Sequence, residues 1–148
     1  MAHAAPASGI RARPAPTRVP DVFSERTHRA AEWTTAVGLG LVYGYWVAAN
    51  NRAGGPITGW NLLLGFVSAF AVAVLWLGVH AVAPRLRREL HAALWAVFAG
   101  CAFGFMYSET GASVLRSTGW ALAVAASTFA ALFFRFYTRE DVDGNRIR

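Results

Sequence analysis

Apolar residues gather in four long runs, approximately Trp33–Asn50, Trp60–Ala83, Leu90–Tyr107 and Ser117–Tyr137, separated by short polar punctuation. Each run is close to the roughly 20 helical residues that cross a hydrocarbon core about 30 Å thick. A helix of a soluble bundle keeps a polar face. The stretch "LLLGFVSAFAVAVLWLGV" (62–79) has none. Four repetitions of the same length and polarity predict an all-α integral membrane protein with four transmembrane helices. The membrane domain is expected over residues 29–138. Before it, residues 1–28 are rich in Pro, Ala and Arg and have almost no apolar run, so a flexible cytoplasmic tail is expected there. A short charged cytoplasmic tail is expected over 139–148.

The pattern also repeats. With residues 31–60 placed over 91–120, Gly40 falls on Gly100 and Tyr43-Gly44-Tyr45 on Phe103-Gly104-Phe105. Beyond a divergent loop, Thr58-Gly59-Trp60 falls on Thr118-Gly119-Trp120. This predicts two tandem-duplicated hairpins, about 31–83 and 91–137, related by an axis along the membrane normal. Two ladders of small residues at i, i+4 spacing stand out: Ala36, Gly40, Gly44 and Ala48 in the first run, and Ala96, Gly100, Gly104 and Ser108 in the third. Lipid offers little hydrophobic drive between helices, so close backbone contact along small residues supplies the attraction. The expectation is that the first and third helices cross along these ladders, each being half of one interface.

Charge orients the chain. All fourteen basic residues are arginines, and the formal net charge is +6. Twelve lie on one side, in the N-terminal segment, the loop "PRLRRE" (84–89) and the C-terminal end. Only Arg52 and Arg116 lie on the other. Arginine excess marks the cytoplasmic side, so both termini are expected inside, in the plasma membrane of a bacterium whose alanine-, glycine- and arginine-rich usage suggests a GC-rich genome. Basic residues flanking spans are accounted for by topology and leave no reason to expect nucleic acid. Anionic lipid is a candidate contact for the arginine-rich tail.

Candidate chemistry is sparse. Intramembrane ionisable groups mark function by default, yet Glu32, His80, His91 and Arg135 fall near inner ends and Glu109 and Arg116 near outer ends. His80 lies deepest and is the candidate proton site, because histidine titrates near physiological pH. Glu109 and Arg116 are a candidate ion pair on the outer face, of the kind that contributes about 0–1 kcal/mol when exposed. The single cysteine, Cys101, is read as a small apolar side chain. No phosphate loop, HExxH, CxxC or GxSxG occurs, so no catalytic residue, cofactor or metal site is expected. In size the chain resembles the small multidrug transporters. Those depend on a membrane-embedded glutamate in the first helix, whereas Glu32 precedes Trp33 at the edge of the span. The leading expectation is a non-enzymatic membrane protein acting through partner proteins or as a homo-oligomer. The alternatives are a small channel or transporter subunit, then a membrane enzyme using Glu109 and Arg116.

Overall fold

The computed structural model describes residues 23–139, all of it helix and connecting turns with no strand. The expected C-terminal tail, apart from Arg139 at the end of the last helix, and most of the N-terminal tail lie outside these residues. Four helices follow one another: α1 (Glu25–Arg52), α2 (Gly59–Val82), α3 (Arg88–Ser108) and α4 (Val114–Arg139). A 3₁₀ turn over Ala83–Arg85, with Pro84 inside it, joins α2 to α3.

Helix α1 starts earlier than the apolar pattern suggests, at Glu25 rather than near residue 29. The Ser24 hydroxyl accepts a hydrogen bond from the Thr27 amide, and Glu25 stands in the first turn, where a carboxylate favours the positive end of the helix dipole. Helix α2 starts with a reciprocal cap. The Thr58 hydroxyl accepts from the Asn61 amide, and the Asn61 side-chain oxygen accepts from the Thr58 amide, both at 3.3 Å.

Helices α2, α3 and α4 are long and apolar enough to cross a membrane. Helix α1 falls short on apolarity, because Thr34, Thr35, three glycines and the amphipathic Tyr43, Tyr45 and Trp46 dilute its aliphatic residues. Its residues 33–51 nevertheless carry no charge.

The helices associate as two hairpins, α1 with α2 and α3 with α4. This corrects the expected crossing of the first and third helices along their glycines. A Cβ placed on Gly44 would collide with the Gly65 carbonyl oxygen and lie 2.8 Å from the Ala69 Cβ; one on Gly40 would collide with the Ala69 carbonyl oxygen. In the second hairpin a Cβ on Gly100 would lie 2.8 Å from both the Ala121 oxygen and the Ala125 Cβ, and one on Gly104 would lie 2.7 Å from the Ala121 Cβ. Each ladder thus presses on the next helix in the chain. The connections, residues 53–58 and 109–113, are short enough to make sequential helices antiparallel neighbours. The second helix of each hairpin supplies its own small residues at i, i+4: Gly65, Ala69 and Ala73, then Ser117, Ala121 and Ala125.

The register of the two seams differs. Gly40 and Gly44 match Gly100 and Gly104 at a separation of 60, but Gly65, Ala69 and Ala73 match Ser117, Ala121 and Ala125 at a separation of 52. Accordingly, Thr58 caps α2, whereas Thr118 lies inside α4. The first hairpin extends beyond its last close crossing by about one helical turn more on each arm than the second does.

Between hairpins the approach is slighter. Helices α1 and α2 meet α3, and α4 runs along α3 without a close backbone approach to α1 or α2.

Candidate functional site

Three features fill the junction between the hairpins: a polar cluster at one end, an apolar groove, and an aromatic cluster at the other end. The polar cluster follows from the unequal arms. The extra turn of the first hairpin carries Asn50 and Asn51 on α1 and Asn61 on α2, and it reaches the C-terminal end of α3. Asn50 donates its side-chain N–H to the Met106 carbonyl at 3.1 Å, satisfying one of the four carbonyls that a helix end leaves open. Asn61, 8% exposed, donates to Asn51 Oδ1 at 2.7 Å, and Asn51 donates to Glu109 Oε2 at 2.8 Å. One amide-to-amide-to-carboxylate chain therefore ties α2, α1 and the end of α3. A turn or two farther along, the Tyr43 hydroxyl donates to the Ala102 carbonyl at 2.7 Å, a third tie from α1 to α3.

The expected Glu109–Arg116 pair is replaced by this arrangement. Glu109 is engaged by Asn51, while the Arg116 guanidinium lies over the Tyr107 ring, 5.9 Å from its centroid. Unequal arms decide the matter, because the longer hairpin brings an amide donor to the carboxylate.

Below the polar cluster, a cleft of about 520 Å³ runs between α2 and α3 with Tyr43 at its floor. Leu64, Val67, Leu75 and Val79 line it from α2, and Leu94, Val97, Phe98 and Phe105 from α3. Its polar atoms are few, Ser68 and Cys101 supplying two of the side chains. The cleft is open along one side, since Val67, Leu75 and Val97 are each more than half exposed.

At the other end, α2 and α3 are wedged by aromatic rings. His80 stacks on Trp76 at 4.8 Å between centroids, with its ring edge-on to Trp95 at 6.3 Å. Trp95 in turn meets Phe98 edge-on at 5.9 Å. His80 is thus an exposed ring in the last turn of α2, beside indoles, rather than a group midway along the helix. On the other flank of α3, His91 packs on Phe136 of α4 at 4.6 Å, and the Arg88 guanidinium lies over Tyr137 at 5.1 Å.

Of the small-residue ladders, Ala36, Gly40, Gly44, Ala96 and Gly100 are buried in the hairpin seams, and Ala48 lies against Gly65. Gly104 is half-buried. Ser108 leaves the pattern: it is exposed and donates its hydroxyl to the Phe105 carbonyl of its own helix. Among the described residues, Ser117 Oγ is the buried side-chain oxygen without a hydrogen-bond partner, in the seam opposite Gly104. The residues that sequence reasoning passed over are Asn50, Asn51, Asn61 and Tyr43. Three asparagines at the ends of adjacent apolar runs were a readable signal, since a buried amide requires a partner. Among the described residues no three His, Cys, Asp or Glu side chains gather as a metal site. Comparison with family models, characterised proteins and solved structures returns no match for this chain.

Proposed function

We propose that this is a four-span protein of a bacterial inner membrane, both termini cytoplasmic, that works by association with protein partners or with its own copies rather than by catalysis. The observation that carries the reading is α4. Among the described residues it packs along α3 alone, only 6% of its span is buried, and its outer surface displays Trp120, Leu122 and Phe134. Such a surface needs a bilayer. Ala123, Ala126, Ala130 and Ala131, all exposed among these larger residues, would let another helix approach closely. For α1 as the fourth span, the support is its seam. It presses backbone to backbone along α2, a helix long and apolar enough to cross, and residues 33–51 are uncharged. The twin glycine seams support a duplicated hairpin, with one turn trimmed from each arm of the second copy.

Single-molecule photobleaching of the full chain in native-membrane nanodiscs, paired with lipid-phase crosslinking, tests the association. Two or more copies, or one reproducible crosslinked partner, is the expected result. A lone copy without crosslinks would reject it. A second reading, a small transporter subunit, draws on the groove between the hairpins, and flux measurements separate it from the first.

A further inference from the structure

The groove between α2 and α3 ends at the most basic loop of the described chain. From Val79, the last lining residue of α2, the chain rises about 10 Å to Arg85 through the rest of the helix and the 3₁₀ turn. From Leu94, the lining residue of α3 nearest that end, the rise to Arg88 is about 9 Å. The headgroup region of a bilayer adds about 5–8 Å beyond the hydrocarbon on each side, and an arginine side chain bridges the remainder. Arg85 and Arg87 are both exposed. Arg88 is engaged with Glu89 at 3.0 Å and with the Tyr137 ring.

We infer that this groove is a binding site for an anionic phospholipid of the leaflet on the α2–α3 loop side. One acyl chain lies between α2 and α3, and the phosphate sits against Arg85 and Arg87. The inference rests on the membrane reading and not on the choice of protein partner. Its dimensions are consistent. The lining from Leu64 to Val79 spans about 22 Å, against about 15 Å for one leaflet's hydrocarbon. An acyl chain entering at Val79 and Leu94 therefore passes Leu75 and Phe98 and ends short of Phe105. The aromatic wedge of Trp76, His80 and Trp95 flanks this end of the groove within about one helical turn of Val79 and Leu94, near the interface where amphipathic rings are favoured. Charge selects the headgroup, because two arginines at about 1 kcal/mol each near an anionic surface amount to roughly a thirtyfold preference.

The test uses the full chain in nanodiscs with a trace of phosphatidylglycerol or phosphatidylcholine, each bearing a photoactivatable diazirine on one acyl chain. Peptide mapping is expected to place phosphatidylglycerol adducts on Leu75, Val79, Leu94 and Phe98, roughly thirtyfold above phosphatidylcholine adducts at the same residues. Arg85→Gln with Arg87→Gln, on exposed side chains, should abolish that preference while phosphatidylcholine labelling stays unchanged. Equal labelling by the two lipids, or adducts spread evenly over the outer face of α4, would overturn the site. So would an oxidative Cys101–Cys101 crosslink between chains, which would put a second copy in the groove. Alkaline carbonate extraction separates the two failures. Release of the chain refutes the membrane reading itself, whereas retention with unselective labelling refutes the lipid site alone.

Discussion

Gly44 has the least room of the glycines in the seams, with the Gly65 carbonyl where its Cβ would stand and Ala69 on the far side. Both neighbours are backbone or Cβ atoms, so nothing flexible can give way. Gly44→Ala should therefore lower stability in detergent micelles by about 1–3 kcal/mol, the usual result of overpacking. Gly38→Ala is the matched control, because a Cβ there meets open space. It should be neutral or mildly stabilising, given that alanine exceeds glycine in helix propensity by up to about 1 kcal/mol. Thermal unfolding of the two variants side by side checks the claim, and equal losses would refute it. A second residue is strained in the opposite sense. Ala53 closes α1 in the left-handed region, at φ 47° and ψ 38°, with its amide donating to the Asn50 carbonyl. A Cβ in that conformation costs about 1–2 kcal/mol, so Ala53→Gly should raise the unfolding temperature. The small-residue ladders were legible in the sequence because spacing alone defines them. Their partners were not, because spacing marks a face of a helix without saying which neighbour it meets.

At the scale of elements, unequal hairpin arms explain the polar cluster. One more turn on α1 and on α2 lifts Asn50, Asn51 and Asn61 beyond the glycine seam and over the end of α3. The amide-to-carboxylate bond from Asn51 to Glu109 then joins the hairpins at that end, beside the Asn50 bond to the Met106 carbonyl. A double-mutant cycle of Asn51→Ala and Glu109→Ala should give a coupling of at least about 0.6 kcal/mol, the average for hydrogen bonds between membrane helices, whose largest values reach about 1.7 kcal/mol. A parallel cycle of Glu109→Ala and Arg116→Gln should show no coupling, since each side chain has another neighbour. Coupling in the second cycle and none in the first would reverse this account. The sequence offered Glu109 and Arg116 as natural partners by charge and proximity. Helix-arm length, which depends on where each chain turns, gave Glu109 a different one.

For the molecule as a whole, the two predictions concern orientation and transport. Arginine asymmetry predicts that both ends lie in the cytoplasm. A C-terminal alkaline phosphatase fusion should be inactive, and periplasmic activity would contradict the topology. Transport coupled to protons requires a titrating group where substrate binds, commonly near mid-membrane. His80 lies instead at the end of α2 against Trp76 and Trp95, and the groove beside it is lined by aliphatic and aromatic side chains. Proteoliposomes under an imposed pH gradient should show no flux beyond empty vesicles, for wild type and His80→Ala alike. Flux in the first that disappears in the second would promote the transporter reading.

Hydrophobic run length and the absence of polar faces were enough, from sequence alone, to establish a helical chain with helices fit to cross a membrane. Both are summed properties that no packing arrangement changes. Helix starts at Ser24 and Thr58 are local too, set by side chains three residues from the amides they accept from, although the apolar pattern placed the first of them later. Pairing is different. Which helix meets the glycines, which amide reaches Glu109 and whether a groove separates α2 from α3 depend on the short connections and on the heights at which the chain turns. The ungapped match at 60 residues concealed the eight-residue difference between the seams, because matching letters record likeness along the chain and not depth across a hairpin. Only the tertiary structure decided those contacts, since a small-residue face is complementary to any other small-residue face until the turns bring two of them into register.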